Sequence, residues 1–131
     1  MNPHRILGID YGSKRIGIAV SDPSGRFGFP ISVIQNSPVA LAEIQKIARD
    51  QEAGEIVLGE SKNYKGEANT IMADILDFKE QLEALGFKVI LEPEFMTSAN
   101  AERFQGKNEL HDASAAALIL QSFLDKRANT V

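Results

Sequence analysis

The spacing of apolar positions changes partway along the chain, and that change predicts the fold class. Residues His4–Asp10 and Arg15–Ser21 read as two strands joined by a turn through Tyr11-Gly12-Ser13. Phe27–Gln35 is rich in β-branched and aromatic residues and predicts a third strand. Pro30 inside it predicts an edge position, where a missing N–H does no harm. After Ser37-Pro38, an entry signal for a helix, Val39–Gln51 carries Leu41, Ile44, Ile47 and Ala48 at helical spacing. Glu55–Leu58, ending at Gly59, predicts a short buried strand, and Ser61–Glu67 a polar loop. From about Glu67 to Leu85 the stripe Ile71, Ile75, Phe78, Leu82 and Leu85 predicts a second helix, capped by Gly86. Phe87–Leu91 predicts a strand, Glu92-Pro93-Glu94 a break and Thr97–Phe104 a short helix. Gln105–Leu110 is a polar connection, and Asp112–Lys126 predicts a final amphipathic helix.

The order β-β-β-α-β-α-β-α describes an α/β fold: a mixed five-stranded sheet with helices on both faces. No repeat, low-complexity segment or linker divides the 131 residues, so residues 1–131 are expected to form one domain. If the βα units run parallel to the first strand, several strand ends meet at one edge. Such edges are where α/β folds place their sites.

Composition narrows the chemistry. With no cysteine and only His4 and His111, a metal site must be built mainly from carboxylates, which favours Mg²⁺ or Mn²⁺ over zinc. The net charge of -4 disfavours a broad electrostatic grip on nucleic acid, but leaves room for a local basic surface. No apolar stretch approaches the roughly 20 residues of a membrane span. The N-terminus enters a strand pattern without a signal-peptide apolar region. A soluble, cytoplasmic protein with no membrane partner is the expectation.

Acids stand at four predicted strand or helix ends. Asp10 ends the first strand on the face of Ile6 and Gly8; alone it could equally cap an Asx-type turn. Asp112 opens the last helix and could cap it. However, it shares the core-facing stripe of Ala116, Ile119 and Phe123, and Ala113, Ser114, Ala115 and Ala116 let that end approach the sheet closely. Glu60 follows the Glu55–Leu58 strand, while Glu92 and Glu94 compete as the acid following Phe87–Leu91. Carboxylates converging from separate segments are costly unless a cation neutralises them. Two hard ions about 3.5–4 Å apart, bridged by such acids, activate water and stabilise the leaving oxygen in phosphodiester cleavage.

Together, "GIDYGSKRIGIAVSD" and "HDASAAALILQSFL" resemble the YqgF/RuvX family over nearly the whole chain. These are Holliday-junction-resolvase-like proteins of the ribonuclease-H-like superfamily, also described as pre-16S rRNA nucleases. The first motif is matched at Asp10-Tyr11-Gly12 and Arg15 to Asp22, and the last at Asp112 with Ala115 and Ala116. In the third, Asp-Glu-Arg-Leu-Thr-Thr, the chain has Pro93-Glu94-Phe95-Met96-Thr97-Ser98, so the acid is kept and the arginine replaced by Phe95. The family's Gly-Leu-Pro stands as Gly59-Glu60-Ser61, with Asn63 and Gly66 retained. The resemblance implies a ribonuclease-H-like fold and a metal-dependent nuclease acting on pre-16S rRNA 5' ends or on branched DNA. It also implies that Asp10, Glu94 and Asp112 are catalytic metal-binding acids. Glu60 is extra to the pattern and is a candidate fourth ligand.

Lys14 and Arg15 follow the Asp10 turn, Lys62 and Lys65 follow Glu60, and Arg103 and Lys107 precede the last helix. If those loops flank the acidic edge, these residues could hold phosphates of structured RNA or branched DNA; the alternative is solvated surface charge. Tyr11 and Tyr64 could stack on bases, although Tyr11 could instead pack beneath the turn. The state expected is monomer or homodimer. Two other functions compete. One is a catalytically degenerate binding module of the same fold, which the lost arginine favours. The other is a nucleotide binder, because Asp-x-Gly-Ser before a strand also resembles the first phosphate loop of actin- and hexokinase-like ATPases. Those need two such domains, and this chain provides one.

Overall fold

Three strands, β1 (Arg5–Tyr11), β2 (Arg15–Ser21) and β3 (Gly28–Gln35), form the antiparallel meander that their patterning predicts. β4 (Ala53–Lys62) pairs parallel to β1, and β5 (Lys88–Phe95) parallel to β4, giving the order β3-β2-β1-β4-β5. Helix α1 (Ala40–Gln51) connects β3 to β4, α2 (Ile71–Ala84) precedes β5, and α3 (Glu109–Ala128) follows it. The computed structural model describes residues 5–62, 71–95 and 109–128, with side chains over 5–60, 71–93 and 115–128.

Alternation along the central strands divides the core in two. Leu7, Ile9, Ile16, Ile18, Ile56 and Leu58 pack against Ile44 and Ala48 of α1 and against Ile75, Phe78 and Leu82 of α2. Burying each of the larger side chains contributes about 2 kcal/mol, so this face is held by volume. On the other face Ile6, Ala19 and Val57 meet Ala116, Ile119, Leu120 and Leu124 of α3. Helices therefore cover both faces, as expected.

Several boundaries differ from expectation. β4 runs from Ala53 past Gly59 to Lys62, longer than Glu55–Leu58. Glu92-Pro93-Glu94 is no break but the continuation of β5. Among the described residues β5 stands at the sheet's edge, so on one side no neighbour needs the N–H that proline lacks. Helix α3 begins at Glu109, so Asp112 lies within its first turn instead of opening it. The helix expected at Thr97–Phe104 lies outside the described residues. Gly86 does terminate α2 with φ +104°, its N–H donating to the Glu83 carbonyl. Glu52 does the same for α1 at φ 57°, donating to the carbonyls of Ala48 and Arg49.

β3 is the edge that Pro30 predicts. Its register against β2 shifts between Ile18 and Ala19, and Phe29 and Ile31 are exposed. The β2–β3 turn closes on Asp22, whose carboxylate accepts N–H bonds from Arg26 at 2.8 Å and Phe27 at 3.0 Å, and the Ser24 hydroxyl. These bonds, that of Phe27 foremost, hold the Asp22 carboxyl down at about 2.

Candidate functional site

The parallel register gathers the strand ends at one edge. Ile9 lies opposite Leu58 and Gly59 opposite Glu92, so Asp10, Gly59 and Glu92 stand level across β1, β4 and β5. Glu94 is two residues further out, opposite Ser61. At about 4.8 Å per strand, β5 lies about 10 Å from β1. Alternation places the half-buried Asp10 on the face of Ile6 and Gly8, the face that α3 covers. Glu60 follows the buried Leu58 by two residues. Alternation therefore gives it to the α1–α2 face: it shares the edge with Asp10 but not the side.

Gly8 sets how closely α3 can lie. A Cβ there would stand 2.7 Å from Leu120 Cβ and 2.8 Å from the Ala116 carbonyl oxygen, so only glycine fits beneath this helix. Ile6 and Leu124 share the cluster below, so α3 runs antiparallel to β1. From Gly8 to Asp10 the strand rises about 7 Å, and from Ala116 back to residue 112 the helix rises about 6 Å. The backbone of residue 112 thus continues toward the end of β1 that carries Asp10. The small residues picked out at Ala115 and Ala116 are both buried at this contact. The side chains of Glu94 and Asp112 lie outside the described residues.

The turn after Asp10 is rigidly built. A Cβ on Gly12 would meet the Arg15 carbonyl oxygen at 2.6 Å. Asn36 donates its side-chain N–H to the Gly12 carbonyl at 2.8 Å and its backbone N–H to the Lys14 carbonyl at 2.9 Å. Asn36 escaped the sequence reading, since nothing local marks a residue after β3 as a brace for the β1–β2 turn. Tyr11 packs on Phe78 of α2, ring centroids 4.9 Å apart, so it lies beneath the turn and does not offer its ring as a base platform. Lys14 is exposed and Arg15 half-buried beside the turn. The backbone of Lys62 ends β4 at the same edge. Tyr64, Lys65, Arg103 and Lys107 lie outside the described residues.

Glu92, the rival of Glu94, has a different surrounding. It is buried, and its Oε2 accepts the Ser122 hydroxyl at 2.8 Å and lies 2.7 Å from Lys126 Nζ, both on α3. These partners stand 30 and 34 positions along the chain, a pairing that no local pattern reveals.

Among the described residues no three His, Cys, Asp or Glu side chains gather into a group that could hold a metal. The donors available at the edge are nonetheless carboxylate oxygens, in a chain without thiols. That chemistry suits a hard ion such as Mg²⁺ or Mn²⁺. Among the described residues Asp10, half-buried at this edge, is a carboxylate that could take part in holding it.

A mixed sheet in the order 3-2-1-4-5, with an acid at the end of its central strand and a helix seated beside that acid, defines the ribonuclease-H-like class of α/β proteins. The family model described as "RuvX: Holliday junction resolvase" matches residues 4–126. The chain belongs to that family. A relative from Thermoanaerobacter pseudethanolicus, named "Putative pre-16S rRNA nuclease", is 34% identical over 95% of this chain and 99% of its own. One from Chloroflexus aggregans, with the same name, is 34% identical over 98% and 99%. Among solved structures, T. thermophilus RuvC in complex with Holliday junction substrate superposes with TM-score 0.55 at 15% identity, covering 97% of both chains. Fowlpox virus resolvase, in complex with substrate Holliday junction DNA, does so at 0.53 and 12%, covering 94% of this chain and 98% of that one. At such identities the likeness is one of fold.

Proposed function

We propose that residues 1–131 act as one metal-dependent nuclease domain, hydrolysing phosphodiester bonds in pre-16S rRNA at its 5' end. Membership of a nuclease family and relatives named for that substrate support the reading. The observation that carries it is the parallel register of β1, β4 and β5, with Gly8 seating α3 beside Asp10. Asp10, Glu94 and Asp112 are the proposed metal-binding acids; Glu60, on the other face of β4, is left out. When bound, Mg²⁺ or Mn²⁺ supplies an activated water and stabilises the leaving oxygen. The chain's own part is to bring acids of β1, β5 and α3 to one end of the sheet and to keep the β1–β2 turn in place through Asn36. Lys14, Arg15 and Lys62, with Lys65, Arg103 and Lys107, are the proposed phosphate contacts, and the protein works in the cytoplasm as a monomer or homodimer.

Branched DNA is the second substrate reading, favoured by the resolvase folds that this chain resembles. The experiment is Mn²⁺-supported cleavage of structured RNA and of four-way junctions, side by side. Asp10→Asn and Asp112→Asn should each lower cleavage by at least about a thousandfold, equivalent to about 4 kcal/mol of barrier, with the fold intact. Undiminished turnover in Asp10→Asn ends the proposal. Binding without cutting, in metal-free buffer, favours the degenerate module, and Phe95→Arg would then be the variant to restore cleavage.

A further inference from the structure

Helix α3 is fastened to the sheet on both flanks by neighbouring residues. On one side Gln121 accepts the Gly28 N–H at 2.9 Å and donates to the Arg26 carbonyl at 2.9 Å, gripping the start of β3. On the other side Ser122 and Lys126 hold the buried Oε2 of Glu92 on β5. Between these flanks Leu120 rests on Gly8. The helix is therefore fixed against both rocking and rotation at its C-terminal half, whereas residue 112 stands ten positions earlier.

Those ten residues make a lever of about 15 Å, so a swing of about 10° at the pins displaces residue 112 by about 3 Å. Metal ligation tolerates about 0.2 Å. The pair is buried at its Glu92 end while Lys126 reaches it from the surface. An ion pair of this kind adds little net stability over apolar packing, and its better-supported use is to fix one geometry among several. Glu92 is also level with Asp10 across the sheet, so the clamp ties the helix to the strand row that bears the acids.

We infer that the Glu92–Ser122–Lys126 clamp, opposed by Gln121, aligns α3 so that residue 112 meets Asp10, which makes Glu92, Ser122, Lys126 and Gln121 positioning residues for the acid edge. The inference rests on the metal-site reading above. It assigns Glu92 to alignment, not to ligation.

The chain has no cysteine, so two introduced ones take spin labels cleanly. With labels at Glu109→Cys on α3 and Lys46→Cys on α1, the interlabel distance reports the helix swing without metal. Mn²⁺ titration by calorimetry reports the site. In Ser122→Ala/Lys126→Met the distance distribution should shift or broaden by about 3 Å. The Mn²⁺ dissociation constant should rise about tenfold or more, as loss of outer partners does elsewhere. Lys126→Arg should restore both. Wild-type distances in the double variant overturn the inference. So does wild-type Mn²⁺ binding in that variant when Asp10→Asn abolishes binding. Unchanged Mn²⁺ binding in Asp10→Asn overturns the metal-site reading, and the inference with it.

Discussion

The two faces of the sheet both bury apolar side chains but are held to different tolerances. Beneath α1 and α2 the contacts are Leu, Ile and Phe side chains filling space. Beneath α3 a smaller apolar cluster is joined by a glycine seat, a close helix carbonyl and two flanking sets of polar bonds. Volume packing tolerates small adjustments, because neighbouring side chains can shift. A backbone seated on a bare Cα cannot adjust without moving the whole helix. The face built to the tighter tolerance is the one that bears Asp10, which is what a site made from separate segments requires.

That contrast can be broken by substitution. Gly8→Ala should have the largest effect, about 3 kcal/mol or more of lost stability, because the added methyl meets backbone. Denaturant midpoints at constant m would measure it, and a loss under 1 kcal/mol would show that α3 is not seated as described. Ile44→Val, a comparable change of one carbon in the volume-packed face, should cost only about 1 kcal/mol. If Ile44→Val proves as damaging as Gly8→Ala, the distinction between the faces fails. Outside both faces, Glu52→Gly should gain about 0.5 kcal/mol, since relief of the left-handed conformation slightly exceeds the cost of glycine's freedom in the unfolded chain.

The smallest effect is electrostatic and belongs to the β2–β3 turn. The Asp22 carboxyl ionises at about 2 when folded against 3.8 ordinarily, so its contribution is complete above that ordinary value. It is lost as pH falls from about 4 toward about 2. Acid titration of Asp22→Asn should therefore be flatter than wild type across that interval. Parallel curves would mean that the loop bonds do not depend on the charge.

Much of this was legible in the residues themselves. Alternation along Ile6-Leu7-Gly8-Ile9-Asp10 gave Asp10 its face, Pro30 marked an edge, and Ala115 and Ala116 announced a close helix. Proline misled at Pro93, where an edge strand accepts what a central one would not. Contacts set by the tertiary fold could not be read: Gln121 with Gly28, 93 positions apart, or Glu92 with Ser122. The face of Glu60 was equally hidden, because it depends on how far β4 continues, and the strand outran its apolar run by four residues, to Lys62. Polar residues at a strand's end carry no period, so propensity cannot tell a strand's last rungs from a loop.

The outer margin of β3 has a consequence for the protein in bulk. Phe29 and Ile31 are uncovered there, the composition that invites molecules to stick together when concentrated. Pro30 and the adjoining shift in pairing interrupt the even row of donors that an incoming strand would need to zip on. Pro30→Val should lower the concentration at which a preparation begins to cloud.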